Sequence, residues 1–381
     1  MDFAFSEEQE LFRRTVRQFA KNELLPGYQE RDRSNVFPKD VLRKMGDLGV
    51  VGLRIPEQYG GADADYIMVG IASEEIARGD FSCAAFITNS VIPGEVISRF
   101  ADESVKQEWL PAIAAGEVSI AIGLTEPQCG SDAAALATRA ERDGDHYVLN
   151  GEKSSTSLID SEAAIIWART GGAGARSITA FLMPMDAPGV GRSLFNDLGF
   201  RAMRRGAIHM DNVRIPARYR LGEEGQGFYH IMNEFDYTRS ILGLMCLGAA
   251  AQTVDETIEY VKTRTAFGQP IARFQGVGFP IAEALTQIDA ARFLCYRALW
   301  LRQQKMPHTM EAAMAKWFGP KVSYEIVHQM LLLHGHSGYS DDYLIGQRLR
   351  DVISYEIGDG TGEIMKAIIC RETIGREFRT Y

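Results

Sequence analysis

The chain has 381 residues, of which 46% are hydrophobic and 24% are charged, as is typical of a globular protein. Fifty acidic residues against 41 basic ones give a net charge of −9. Because nucleic-acid binding depends on clustered lysine and arginine, this balance argues against a nucleic-acid partner. The five cysteines are scattered, which favours a cytoplasmic protein with free thiols over a disulfide framework.

Residues 1–118 have the pattern of a helical domain. Ser6 and Gln9 are spaced like the partners of a capping box, and apolar residues follow at helical intervals. A second helical stretch spans Asp40–Leu48. The acidic first residues lack the apolar core of a secretory signal, so we expect no such signal.

Residues 119–228 differ in character, because short β-prone runs replace the helical pattern. The pair Asn150-Gly151 lies between such runs and predicts a hairpin turn. Strand runs at this spacing, without helices between them, predict an antiparallel barrel or sandwich. The four clearest runs are His146–Leu149, Ala164–Ala168, Ile178–Met183 and Ala207–Ile215.

Helical spacing returns in residues 229–381. Ile281, Leu285 and Ile288 share one face, as expected for a helix of a bundle. The longest apolar run, Ile241–Ala251, has about half the length that a membrane span requires, so we expect no span. The sequence thus predicts an α+β protein with a helical, a β and a second helical part.

General cofactor motifs do not occur in the sequence. It has no Walker A loop and no GxGxxG segment after a strand, so the usual phosphate-binding loops are lacking. His334 and His336 flank a glycine but have no further ligands nearby, so we predict no metal site.

Three separated segments resemble signatures of the acyl-CoA dehydrogenase family. Residues 122–132, IGLTEPQCGSD, are similar to the family's TEPGAGSD motif. Residues 264–268, RTAFG, followed by Gln275, resemble its RxxFG…Q segment. Arg350-Asp351, followed by Asp359-Gly360-Thr361, resembles its RD…EGT segment. These matches occur in order and extend over nearly the whole chain.

The resemblance implies a fold and a reaction. The fold would have an N-terminal α-helical domain in 1–118, a central antiparallel β-barrel in 119–228 and a C-terminal four-helix bundle in 229–381. Members of the family bind FAD non-covalently, form homotetramers and pass electrons to an electron-transferring flavoprotein. Their reaction removes a proton from Cα and a hydride from Cβ of an acyl-CoA thioester, which gives an enoyl-CoA.

The same resemblance assigns cofactor contacts. Ser155 stands where the family has an aromatic residue that packs on the flavin, and Ser157 could still hydrogen-bond near flavin N5. Arg264 would neutralise the pyrophosphate of an FAD bound by a neighbouring subunit. The complete set of expected FAD contacts is Leu124, Thr125, Gly130, Ser131, Ser155, Ser157, Arg264, Phe267, Gln275, Gly335, Thr361 and Glu363.

Asp359 is the expected catalytic base, although the family usually has Glu at this position. The Asp side chain is shorter by one C–C bond, about 1.5 Å, so the backbone or the substrate must shift to meet it. Enclosure by an acyl chain should raise its pKa. Two alternatives remain open: Asp359 as a helix N-cap, and Glu356 as the base. Thr238 occupies a position where some relatives carry the base, but a threonine cannot act as one unaided.

Substrate contacts follow from the same comparison. Thr88 would line the acyl end, Asp236 and Arg239 would contact the CoA moiety, and Ser131 and Gly360 are also expected to bind the substrate. The departures from the family pattern, Ser155 among them, are compatible with a widened cavity and a short, branched or alicyclic acyl group.

Two other interpretations stay open at this point. One keeps FAD but changes the reaction, either to an oxygen-using flavin oxidase of the nitroalkane oxidase type or to an enoyl-CoA reductase. The other is a non-catalytic member that binds flavin or acyl-CoA, with the altered base as a mark of lost activity.

Overall fold

Helices form the N-terminal part of the structure, a computed structural model that describes residues 4–378 except for the side chain of Arg376. Ser6 caps the first helix as predicted, because its hydroxyl accepts from the amide of Gln9 and the Gln9 side chain accepts from the amide of Ser6. The helices are α1 (Glu7–Phe19), α2 (Tyr28–Ser34), α3 (Lys39–Asp47), α4 (Tyr66–Gly79), α5 (Phe81–Phe100) and α6 (Glu103–Ala114).

The central part is one sheet of eight strands within residues 4–378, and the four predicted runs all lie in strands. Most neighbouring strands are antiparallel, as predicted. Two pairings are exceptions, because Ile120 pairs with Ala163 and Arg139 pairs with Arg169 in parallel register. The strands are β1 (Ile120–Gly123), β2 (Arg139–Asp143), β3 (His146–Thr156), β4 (Ala163–Arg169), β5 (Ile178–Pro184), β6 (Val190–Leu194), β7 (Gly206–Pro216) and β8 (Arg220–Leu221).

The hairpin predicted at Asn150-Gly151 is wrong. Both residues lie inside β3, where the register against β7 shifts between Leu149 and Gly151. Gly151 has φ +142°, and a Cβ there would lie 2.6 Å from the hydroxyl of Thr138. The glycine therefore serves a bulge with a close neighbour, and the actual turn between β2 and β3 is at Gly144, with φ +63°.

Long helices form the C-terminal part. The helices α7, α8 and α9 pack against one another, and α12 packs against α9. Gly243 and Gly319 allow α7 and α9 to approach closely, since a Cβ on Gly319 would lie 2.8 Å from the Cα of Gly243. The elements are α7 (Gly227–Thr263), β9 (Thr265–Ala266), β10 (Gln269–Pro270), α8 (Gln275–Gln303), α9 (Thr309–His334), α10 (Ile345–Val352), α11 (Ser354–Ile357) and α12 (Gly362–Ile374).

The helix α7 is the core element of the C-terminal part. Among the described residues it is the one helix long and apolar enough to cross a membrane, but 78% of its most apolar window is buried inside the protein. Burial by neighbouring helices accounts for this composition. One hydrophobic core joins α7 with the N-terminal helices, and a second fills the β-sheet and its contacts with α5 and α6.

Candidate active site

Asp359 lies in the short connection between α11 and α12. Its backbone is left-handed, with φ +55°, and Gly360 follows with φ +102°. Asp tolerates this region better than most residues with side chains. The N-cap of α12 is Thr361, whose hydroxyl accepts from the amide of Ile364 at 3.3 Å. The alternative interpretation of Asp359 as the helix cap is therefore wrong.

Asp359 is one of the exposed residues of this connection. The side chain can be reached by water, yet protein surrounds it closely enough that desolvation raises its pKa, against the opposing charges of Lys316 and Arg239. Among residues 4–378 it has no hydrogen-bond partner. Its oxygens remain available for a proton, which is what a general base requires.

Lys316 on α9 supports the same connection from inside the bundle. Its side chain is only 1% exposed, and its ammonium donates to the carbonyl oxygens of Tyr355, at 2.6 Å, and Gly360, at 2.7 Å. Burial lowers the pKa of Lys316 to about 8, although the negative charge of Asp359 acts in the opposite direction. The sequence patterns did not predict this residue. The available signal was a lysine on the alanine-rich, core-facing side of a helix.

Arg239 on α7 is the second cation near Asp359. It is 6% exposed, and desolvation lowers its pKa. One terminal nitrogen lies 3.2 Å from Asp236, which also accepts from the hydroxyl of Thr309 at 2.7 Å. The Nε of Arg239 is buried without a partner among the described residues. Asp236 is thus held by protein groups, whereas one donor of Arg239 is buried without an acceptor among the described residues.

Aromatic residues pack where the Asp359 segment meets the N-terminal helices. The ring of Tyr355 packs against Phe81 and Phe200, with centroids 5.7 and 5.6 Å away. Thr88 on α5 is buried beside Tyr355 and donates its hydroxyl to the carbonyl of Ala85. The structure therefore places Thr88 close to the Asp359 segment, separated from it by Tyr355.

A buried ion pair organises the loop after β1. The ammonium of Lys153 donates to Glu126 at 2.7 Å and to the carbonyl of Leu124 at 3.2 Å. Burial disfavours the charge of Glu126, but Lys153 and the amides of Ala137 and Thr138 bring its pKa down to about 2. The sequence patterns did not predict this pair, because Glu126 and Lys153 are 27 positions apart in the chain.

The end of β3 runs beside this loop. The amide of Ser154 donates to the carbonyl of Thr125 at 2.8 Å, which brings two predicted cofactor segments together. Ser155 is exposed with a left-handed backbone, φ +56°. The hydroxyls of Ser131 and Ser157 have no partner in the described chain, and Gly130 has open space where a Cβ would stand.

The remaining predicted cofactor residues form two groups. Thr361 and Glu363 line a cavity of about 430 Å³ that also contacts Lys316 and Trp317. The other group lies at the far end of the bundle, around the connection between α7 and α8. Its members are Arg264, Phe267, Gln275 and Gly335.

The two groups are far apart. Arg264 follows the last residue of α7, 25 residues after Arg239, and at 1.5 Å per residue the helix separates them by roughly 37 Å. Gly335 lies near Arg264, because Tyr260 stacks on His334 with 4.1 Å between ring centroids. Phe267 is 95% exposed. The structure therefore does not bring these residues close to Asp359 of the same chain.

The donors present fit the chemistry of FAD. A flavin needs hydrogen-bond donors along its ring, and the free hydroxyls of Ser131 and Ser157 beside the β-sheet are of that kind. A pyrophosphate needs cations, and Arg264 is exposed with no carboxylate partner among residues 4–378.

Similar proteins are known. A probable acyl-CoA dehydrogenase of Bacillus subtilis is 35% identical, over 98% of this chain and 100% of the relative. The CarC subunit of the caffeyl-CoA reductase–Etf complex of Acetobacterium woodii is 33% identical, over 96% and 98%.

Solved structures share the fold of this chain over nearly its whole length. The butyryl-CoA dehydrogenase of Megasphaera elsdenii superimposes with a TM-score of 0.94 at 30% identity, over 98% of this chain and 100% of that one. A glutaryl-CoA dehydrogenase of Mycobacterium smegmatis in complex with FADH2 gives 0.93 at 27% identity, over 98% and 97%.

Family models match almost the whole chain. The acyl-CoA dehydrogenase N-terminal domain matches residues 6–117, the middle domain residues 121–213 and the C-terminal domain residues 225–374. The chain therefore belongs to the acyl-CoA dehydrogenase family and is an FAD-dependent oxidoreductase that acts on acyl-CoA thioesters.

Proposed function

We propose that this protein dehydrogenates a short, branched or alicyclic acyl-CoA, with Asp359 as the base that takes the Cα proton. The single observation that carries the assignment is the Asp359 carboxylate itself, which has no hydrogen-bond partner among residues 4–378, faces the cations Lys316 and Arg239 and has a pKa raised by desolvation. FAD, when bound, supplies the acceptor for the hydride that leaves Cβ.

The carbanion formed at Cα must be stabilised as an enolate. The backbone amide of Asp359 has no acceptor among residues 4–378 and is free to donate to the thioester oxygen. Arg239, with its unpartnered Nε, supplies positive charge on the same side and would contact the CoA moiety. Asp236 would act there by orienting Arg239, and Ser131 and Gly360 would lie beside the thioester.

The acyl group is bounded by three features. Ser155 leaves the space that an aromatic side chain would fill beside the flavin, and Thr88 and Tyr355 close the opposite end. The shorter reach of Asp359 requires the substrate to approach the loop more closely. A compact branched or ring-shaped group fits these conditions better than a long straight chain.

We propose a homotetramer in which FAD is shared between subunits. Because Arg239, beside Asp359, and Arg264 are roughly 37 Å apart along α7, we infer that the FAD next to Asp359 meets the Arg264 of another subunit. A neighbouring copy would supply Arg264, Phe267, Gln275 and Gly335. The proposed domain limits are 1–118, 119–228 and 229–381.

The proposed oxidant is an electron-transferring flavoprotein, and the proposed location is the cytoplasm. The relative from Acetobacterium woodii is named as part of an Etf complex, which supports this partner. The same relative is a reductase, so reduction of an enoyl-CoA is the second candidate. A reductant-driven assay with an enoyl-CoA separates the two directions.

The test is anaerobic bleaching of the bound flavin by a panel of straight, branched, alicyclic and dicarboxylic CoA thioesters. We expect the wild type to bleach with a branched or alicyclic member, D359N to retain FAD without bleaching, and E356Q to bleach. Bleaching by D359N but not by E356Q would assign the base to Glu356. A wild type that no thioester bleaches would indicate a non-catalytic member, and rapid oxygen consumption with a nitroalkane would indicate an oxidase.

A further inference from the structure

The connection that carries Asp359 is tied to the bundle through its backbone. Residues 358–361 are outside helices, and two successive left-handed residues, Asp359 and Gly360, prevent helical hydrogen bonds there. The Asp359 side chain itself is unbonded. The position of this carboxylate therefore depends on whatever holds the carbonyl groups on either side of it.

Lys316 holds the backbone on both sides of Asp359. Its ammonium donates to the carbonyl of Tyr355, four residues before Asp359, and to the carbonyl of Gly360, directly after it. Because the side chain is 1% exposed, water cannot replace these bonds. An apolar residue of similar length would fill the same space but would leave two carbonyl oxygens without this donor.

Three neighbouring segments carry the groups that act most on the charge of Lys316, and Glu363 and Lys366 of α12 line the cavity beside it. Asp359 and Glu356 lie on the connection and on α11, and Arg239 and Cys246 lie on α7. Asp359 favours the charged ammonium, whereas Arg239 opposes it. In return, the ammonium favours the ionised form of Asp359, which is the form that can accept a proton.

We propose that Lys316 is a positioning residue for proton abstraction, in which one buried ammonium clamps both ends of the loop that carries Asp359. This inference rests on the proposed function of Asp359 as the base. Lys316 acts through the loop backbone and through its charge, and it has no direct contact with the reacting atoms.

The test follows exchange of the Cα proton in D2O, with the thioester that bleaches the wild-type flavin fastest. In this exchange the carboxylate removes a proton from Cα and returns a deuteron; under anaerobic conditions at most one thioester per flavin is oxidised to the enoyl-CoA, its hydride reducing the flavin, and the excess thioester reports the exchange. Mass spectrometry of the recovered thioester gives the rate at each pH. The variants are K316M, which has neither donor nor charge, and K316Q. The glutamine side chain is shorter and uncharged, but its amide nitrogen can donate to one of the two carbonyl oxygens.

We expect K316M to keep its FAD and to exchange at least tenfold more slowly, because displacement of a catalytic group by about 1 Å can cost roughly 100-fold. The pH midpoint of exchange should rise, since a nearby positive charge is lost. K316Q should be intermediate in rate. K44M is the control, because Lys44 is an exposed lysine paired with Glu23 on the N-terminal helices. Faster amide exchange in residues 354–362 of K316M would be a readout without substrate.

The outcomes separate this inference from the proposed function. Exchange by D359N at the wild-type rate, or no exchange by the wild type, would overturn the assignment of the base and the role of Lys316 with it. If D359N does not exchange the Cα proton but K316M keeps the wild-type rate and pH midpoint, only the role of Lys316 is wrong. If K316M fails to fold, an unchanged rate and midpoint in K316Q would likewise overturn the role of Lys316 alone.

Discussion

Lys153 and Glu126 form an ion pair in the interior of the β-sheet domain, with 2.7 Å between the ammonium nitrogen and the nearer carboxylate oxygen. Both side chains are buried. The pair joins the middle of β3 to the loop after β1, which carries Leu124, Thr125 and Ser131. The loop expected to bind the flavin is therefore organised by a buried ion pair.

K153M should destabilise the protein and weaken FAD binding together. Removal of one partner of a buried ion pair typically costs about 3–5 kcal/mol, because the other charge is left unpaired. Denaturant unfolding and the flavin-to-protein absorbance ratio measure the two effects. The double variant E126Q/K153M should unfold at a higher denaturant concentration than K153M. If the single and the double variant lose the same stability, the charge of Lys153 does not compensate that of Glu126 in the folded protein.

Much of the fold was predictable from local patterns, and the failures were long-range. The capping box at Ser6 depends on residues three apart, and it was predicted correctly. Asn150-Gly151 was interpreted as a turn, but the position of Thr138 against Gly151 makes it a bulge. The parallel pairing of β1 with β4 likewise depends on how distant segments meet, which strand propensity does not contain.

The same division applies to the site. Asp359 was found because its neighbours match a linear motif. Lys316 contacts the backbone of residues 39 and 44 positions later, and Lys153 contacts a carboxylate 27 positions earlier, so neither lies in a motif with its partner. A buried lysine is rare unless it is paired, and this general expectation is the signal that could have located both.

The rate of proton abstraction should rise with pH through the pKa of Asp359. Because desolvation raises this pKa, the carboxyl stays protonated, and inactive as a base, at pH values where an ordinary aspartate is ionised. The anaerobic bleaching rate measured from pH 4 to pH 9 should therefore show a midpoint above the ordinary value of 3.8. A rate independent of pH over this range would contradict a desolvated base.

D359E should retain FAD but react more slowly than the wild type. The longer side chain moves the carboxylate by about 1.5 Å, and misplacement of that size can cost roughly 100-fold. Glutamate also tolerates the left-handed backbone at φ +55° less well than aspartate. Stopped-flow bleaching gives the rate. A variant faster than the wild type would show that the loop is not adapted to the shorter residue.

R264A should lose FAD and oligomeric state together, because we place Arg264 against the FAD of a neighbouring subunit. R273A is a matched control, since Arg273 is also an exposed arginine in the connection between α7 and α8. Flavin content and size-exclusion chromatography with light scattering report the two properties. Loss of neither in R264A would contradict the shared cofactor.

Asp351 makes the stability of the protein depend on pH. Its two oxygens accept from the hydroxyl of Tyr28, at 2.5 Å, and from the amide of Phe200, at 2.6 Å, and burial raises its pKa to about 7. The folded state thus binds this proton more tightly than the unfolded chain, where the pKa is about 3.9. Between these two values the free energy of unfolding should fall as pH rises, by about 4 kcal/mol in total.

D351N removes this titration while keeping groups that can bond to both partners, because the amide oxygen accepts from Phe200 and the amide nitrogen can donate to the oxygen of Tyr28. We expect D351N to be less stable than the wild type at pH 5 and to approach or exceed it at pH 8. Denaturant unfolding at the two pH values measures the difference. D341N is the control, because Asp341 is exposed and pairs only weakly with Arg33 at 3.5 Å. A difference between D351N and wild type that stays constant from pH 5 to pH 8 would mean that Asp351 is already ionised at the lower pH and that its burial is compensated by the arginines nearby.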